Sequence, residues 1–157
     1  MEFREVRIHG QTARRTVAHF GYDYDYESWR LLPAAPLPEP LVELRDRCAG
    51  FMGAAPEELV EALVSRYPPG ATIGWHRDAP MFGPKVVGVS LLSACRMRFQ
   101  RLLGGARHVH ELELAPRSAY LLAGASRAAW QHSIPPTKRL RYSITFRTLK
   151  DPARWGR

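Results

Sequence analysis

The chain has 157 residues, with 23 Lys or Arg against 15 Asp or Glu, a formal charge of +8, a pI near 10.1 and 45% hydrophobic residues. Such a length suits one domain with a real core and leaves no room for a second, and no apolar run is long enough to cross a bilayer. The start carries Glu2, Arg4 and Glu5 where a signal peptide needs an uninterrupted apolar stretch, so a cytoplasmic monomer is expected. The two cysteines, Cys48 and Cys95, form no C-x-x-C arrangement, which favours reduced thiols. The basic excess favours a polyanionic partner such as nucleic acid, although arginine in an Ala-, Gly- and Pro-rich sequence also reflects compositional bias.

In chain order, Phe3 to Ile8 and Arg14 to His19 read as early strands. Next, Pro40 to Met52 and Pro56 to Val64 read as two short helices with apolar residues at helical spacing. The Pro-rich stretch Pro33 to Pro40 between them is a loop. Thereafter strands dominate: Val86 to Leu92, Met97 to Arg101, Val109 to Leu114, Ala119 to Leu122, Gln131 to Ile134 and Tyr142 to Leu149, separated by turns containing Gly, Pro and Ser. The series predicts a mainly β protein, a sandwich or jelly roll with helices packed outside one sheet.

Chemistry enters with His76-Arg77-Asp78. If Trp75 to Asp78 is extended, His76 and Asp78 leave the same face, near enough to chelate one ion. His132, in the strand-like Ala129 to Ile134 ahead of Pro135-Pro136, is the best third ligand. Two imidazoles and one carboxylate leave coordination positions open, the arrangement of non-haem iron(II) oxygenases. A solvated His-Asp pair and a hydrogen-bonded core histidine are the plainer accounts of the same residues.

The last strand, Arg141 to Arg147, alternates by period two: Arg141, Ser143, Thr145 and Arg147 share one face, while Tyr142, Ile144 and Phe146 share the other. Either this is an edge strand with a wet side, or its arginines, with Cα atoms roughly 20 Å apart, reach into a cavity towards a small dicarboxylate. Arginine suits that task because its planar fork binds carboxylates bidentately and keeps its charge when desolvated.

The chain resembles the AlkB family of iron(II)- and 2-oxoglutarate-dependent dioxygenases. The likeness runs through Tyr67-Pro68-Pro69-Gly70, Ile73 to Asp78, Val89 to Leu92, Met97 to Phe99, Ser126-Arg127, Trp130 to Ile134 and Arg141-x-Ser143-x-Thr145-x-Arg147. It covers most of the chain from about Phe51, and more faintly Arg14 to Tyr26. The resemblance implies a double-stranded β-helix core with flanking helices, with His76, Asp78 and His132 as iron ligands. It implies that Arg141 and Tyr67 hold the distal carboxylate of 2-oxoglutarate, that Arg147 holds the end near the metal, and that Ser143 contributes to the co-substrate site. Ser65 and Ser143 stand where the family usually has Asn, and the shorter hydroxyl still donates and accepts.

The activity implied consumes O2 and 2-oxoglutarate and oxidises a substrate C–H bond, most readily an N-alkylated nucleobase of DNA or RNA in alkylation repair; the alternative is a protein or a small molecule. Pro80 replaces an acidic residue that reads the base in repair members. Only part of the family's N-terminal nucleotide lid is expected, in Phe3 to Ile8 and Arg14 to Phe20. Tyr22, Tyr24, Tyr26 and Trp29 either stack on a base or cover the core. A rival metal site is His108-x-His110-Glu111, a spacing also used in small β-barrels, with its histidines otherwise solvated on a hairpin. Arg127 is read as a residue behind the ligands, on the substrate side, or in a surface salt bridge.

Overall fold

The computed structural model describes residues 1–8, 10–25, 28 and 30–151. Strand β1 (Arg4–Ile8) forms a hairpin with β2 (Gln11–Phe20), and β3 (Tyr22–Tyr24) pairs with β4 (Leu31–Pro33). Helix α1 (Glu39–Met52) and a 3-10 turn (Pro56–Glu58) follow. The remaining elements are β5 (Glu61–Tyr67), β6 (Ile73–His76), β7 (Phe82–Leu91), β8 (Cys95–Leu103), β9 (Ala106–Leu114), β10 (Ser118–Leu122), a single-turn α2 (Ala125–Ala128), β11 (Gln131–Ile134) and β12 (Arg141–Leu149). They build a six-stranded sheet, β1-β2-β5-β12-β7-β10, and a four-stranded sheet, β6-β11-β8-β9. This is the jelly-roll architecture expected.

Helix α1 forms because Pro40 falls in its first turn, where the missing N–H costs nothing. It stops at Gly53, whose left-handed φ of 71° lets its N–H bond to the Ala49 carbonyl. Leu41, Cys48, Ala49 and Met52 lie on one face of the helix. They pack on Ala18, Val64, Val87, Val89, Ile144 and Phe146 of the large sheet, so the helix covers that sheet from outside. Phe146 is fully buried, and such a side chain contributes about 1.5–3 kcal/mol.

The second helix expected, Pro56 to Val64, is corrected. Only Pro56–Glu58 is helical, and Glu61–Tyr67 is a central strand between β2 and β12. Glu61 to Ser65 are buried without a break, so the strand has two buried faces. Its apolar run carries no alternation to separate it from a buried helix.

Phe3 to Ile8 and Arg14 to Phe20, expected as the remainder of a lid, fall in or beside the hairpin β1–β2 at one edge of the large sheet. Tyr24 is buried against His19 and Phe82, with ring centroids 5.3 and 5.2 Å away, so it covers the core. Tyr26 and Trp29 lie outside the described residues.

Candidate active site

Antiparallel pairing of β6 with β11 sets His76 directly opposite His132, with ring centroids 4.2 Å apart. Strand β6 ends at His76, so Asp78 is placed by the following loop rather than by strand alternation. Even so, ligand atoms of His76, Asp78 and His132 all lie within 4.8 Å of one another. The three residues meet as the sequence reading required.

Local hydrogen bonds aim these groups. His76 Nδ1 lies 2.8 Å from the Gly74 carbonyl; donating there, the ring leaves the Nε2 lone pair for a metal. Asp78 uses its two oxygens differently: Oδ2 accepts from Arg147 Nε at 2.5 Å, and Oδ1 faces His132 Nε2 at 3.4 Å. Burial pushes His132 down to about 3, with the neighbouring His76 adding to the fall, and burial also lowers His76. Burial alone would raise the Asp78 pKa, yet Arg147, by its charge and hydrogen bond, together with His132 and His76 outweighs it and holds the carboxyl at about 2. At neutral pH the trio is therefore two neutral imidazoles and one carboxylate, the protonation state a divalent metal requires.

Arg127 fixes the Asp78 loop. Its guanidinium donates four hydrogen bonds of 3.1–3.2 Å to the carbonyls of Asp78, Ala79, Phe82 and Gly83. It is thus a backbone clamp, not a surface salt bridge, and it joins α2 to the loop that carries a candidate ligand. Replacing Arg127 with Ala is expected to weaken Mn(II) binding roughly 10- to 100-fold, the usual cost of losing an outer partner of a ligand. Calorimetric titration checks this; unchanged affinity would show that the loop holds itself.

The polar face of β12 is not a wet edge. The strand runs centrally between β5 and β7, and Arg141, Ser143, Thr145 and Arg147 are all buried. Ser143, Thr145 and Arg147, together with His76, Asp78 and His132, line a cavity of about 830 Å³ between the two sheets; Arg141 does not line it but lies against the ring of Tyr67, which does. Arg141 is fully buried, its Nε donates to Ser90 Oγ at 3.0 Å, and its guanidinium lies 5.0 Å from the Tyr67 ring centroid. Its Nη1 and Nη2 have no hydrogen-bond partner among the described residues. A buried guanidinium left so is costly unless a ligand supplies the acceptor. Arg147, in contrast, bridges Asp78 and Glu61, with Nη1 at 3.1 Å from Glu61 Oε2, and the Phe82 ring lies 4.9 Å away.

Three members of this constellation escaped the sequence reading. Glu61 is fully buried beneath Arg147. Arg15 donates to Ser65 Oγ at 3.2 Å and lines the cavity, and Ser90 orients Arg141. The only signal for Glu61 was a lone carboxylate heading an apolar run. The rival set does not assemble: His108 and His110 are exposed, while Glu111 points to the opposite pleat face and pairs with Arg96 and Arg98.

A profile described as the 2OG-Fe(II) oxygenase superfamily matches residues 2–147. The chain belongs to that superfamily. Among curated relatives, a mouse (Mus musculus) protein named tRNA (carboxymethyluridine(34)-5-O)-methyltransferase ALKBH8 is 33% identical over 131 residues, 79% of this chain and 19% of that one. The Arabidopsis thaliana "Alkylated DNA repair protein ALKBH8 homolog" is 30% identical over 149 residues, 80% of this chain and 43% of its own. The chain therefore spans only about a fifth of the mouse relative and under half of the plant one. The solved structure of OsALKBH1 superposes with a TM-score of 0.67 at 15% identity, covering 86% of this chain and 78% of that one. These likenesses bear out the AlkB resemblance and the jelly roll. As a 2OG-Fe(II) oxygenase the protein is a dioxygenase using iron(II), 2-oxoglutarate and O2, and the site fits both groups: a His-Asp-His trio for the metal and an unsatisfied buried guanidinium for a carboxylate.

The shifted groups predict how the metal-free protein responds to pH. His132 has a folded pKa of about 3 against about 6.5 when unfolded, so its neutral form stabilises the fold above pH 6.5, and that contribution falls as pH drops towards 3. Asp78, held at about 2 from 3.8, adds stability above 3.8 that is lost only as pH falls through 2. In chelator, the urea midpoint is thus expected to fall between pH 7.5 and 5, and His132→Gln is expected to flatten that fall. An unchanged wild-type midpoint would mean that His132 is charged in the fold.

Proposed function

We propose that this domain oxidises an N-alkylated base in DNA or RNA, with His76, Asp78 and His132 holding iron(II) and Arg141, Tyr67, Ser143 and Arg147 holding 2-oxoglutarate. The observation that carries the reading is one cavity lined by a preorganised His-Asp-His trio and by Tyr67, against whose ring lies the Arg141 guanidinium, its Nη1 and Nη2 without a hydrogen-bond partner among the described residues. The names of the relatives, one a tRNA methyltransferase and one an alkylated-DNA repair protein, support nucleic acid as the substrate, as does the charge of +8. The two unpaired cysteines, Cys48 and Cys95, suit a reducing compartment, and we read the chain as a single-domain cytoplasmic monomer. Among the described residues no helix is long and apolar enough to cross a membrane.

When bound, iron(II) and 2-oxoglutarate supply the oxidising chemistry, in which O2 is consumed, succinate and carbon dioxide leave, and a substrate C–H bond is hydroxylated. The protein contributes position and electrostatics. Arg141 and the Tyr67 hydroxyl fix the distal carboxylate. Arg147, stacked on Phe82, keeps Asp78 turned so that one oxygen faces His132. Met97, Leu122 and Ile134 give the cavity apolar walls that exclude water. A base inside a duplex must first be flipped, which is cheapest where it cannot pair; hydroxylated N-methyl then releases formaldehyde.

The test is succinate and formaldehyde release with iron(II), 2-oxoglutarate and an oligonucleotide bearing N1-methyladenine or N3-methylcytosine, against an unmethylated strand. Formaldehyde with the methylated strand alone is expected. Succinate without formaldehyde would keep the oxygenase and move its substrate to protein or small molecules.

A further inference from the structure

The pleat of the four-stranded sheet separates charge. His132 pairs with Phe99, and Phe99 with His110, so these side chains share the face that looks towards the candidate ligands. Further out along the same face come Arg101 and His108, which are register partners. Trp130, two residues before His132, joins them: its ring lies 5.3 Å from His110 and 5.5 Å from the Arg101 guanidinium. No inward position of β8, β9 or β11 carries a carboxylate. Glu111 and Glu113 both fall on the outer pleat, opposite Arg98 and Arg96, where Glu111 pairs with those arginines. Arg101 makes no ion pair with any described residue.

We propose that this face, led by Trp130, Arg101, His108 and His110, is the ramp on which a single-stranded nucleic acid lies while one base enters the site. The proposal rests on the nucleic-acid reading above. Occupant and surface match in chemistry: half-exposed Trp130 offers a sequence-tolerant stacking platform, and Arg101 supplies phosphate neutralisation beside it. A duplex offers only stacked, paired bases, whereas a single strand presents a π-face to the indole. Outward-facing glutamates leave the ramp free of repulsion. The motif His108-x-His110 thereby gains a role other than metal binding.

The experiment is fluorescence anisotropy of the full chain with a labelled, unmodified single-stranded oligothymidylate and its RNA counterpart across a salt series. Trp130→Ala is expected to weaken binding about fivefold to 150-fold, the worth of one stacked base, and Trp130→Phe to keep most of it. Arg101→Ala is expected to reduce the slope of log K against log salt by about 0.7. Arg96→Ala, which removes the same charge from the outer pleat, is expected to leave affinity and slope nearly unchanged. The melting temperature and its rise with 2-oxoglutarate report whether each variant is folded. If the wild type binds but Trp130→Ala and Arg101→Ala bind equally well, or Arg96→Ala loses as much as Arg101→Ala, the ramp is wrong and the nucleic-acid reading stands. If the wild type binds polyglutamate but no oligonucleotide at low salt, the nucleic-acid reading itself falls.

Discussion

Asp78→Asn is expected to yield a folded protein that binds no iron(II) and releases no succinate above the metal-free control. The side chain is buried and supplies the only negative charge among the three candidate ligands. Asparagine keeps the shape, and its carbonyl can still accept from Arg147, but it leaves two neutral imidazoles without an anion to offset a divalent cation. Folding should survive because Arg147 retains Glu61 at 3.1 Å. Asp78→Ala is a harsher change, since it removes the hydrogen-bond acceptor for Arg147 as well as the charge. Calorimetry with Mn(II), succinate assay and a urea titration together check the expectation. Wild-type turnover in the Asn variant would sink the metal assignment.

Arg141→Met is expected to move affinity and stability in opposite directions. Losing one partner of a buried, hydrogen-bonded charge pair costs about 2–5 kcal/mol, so the KM for 2-oxoglutarate should rise roughly 30-fold or more. Without co-substrate, the same change removes a fully buried cation whose Nη1 and Nη2 have no hydrogen-bond partner among the described residues. A similar-sized apolar side chain should therefore raise the urea midpoint. Wild-type protein is expected to melt higher as 2-oxoglutarate is added, by mass action, and the variant to show little rise. A residue that merely braced the sheet would lose stability on mutation and leave the KM unchanged. Arg141→Lys should restore little, because a point charge cannot reproduce the planar fork over Tyr67.

By itself, the sequence determined the periodicities and the ligand types. Alternation from Arg141 to Arg147 made β12 legible, and the ends of α1 were written in Pro40 and Gly53. That His76, Asp78 and His132 would come together was legible because few residue types can bind iron and their motif order resembles a known family. Glu61–Tyr67 was misread because a strand buried on both faces loses the alternation that marks a strand.

Only tertiary structure decided which pleat face each side chain serves. Placing β12 between β5 and β7 turned a polar face that would otherwise be solvated into the wall of a cavity. The loop after β6, tied to the start of β7 by four bonds from an arginine 49 residues away in sequence from Asp78, aimed the carboxylate. Pairing of β8 with β9 sent Glu111 outward and His110 inward, which separated a plausible metal motif. Composition and local pattern are properties of neighbours in sequence, whereas burial and charge pairing arise between residues that meet only when strands distant in the chain pair.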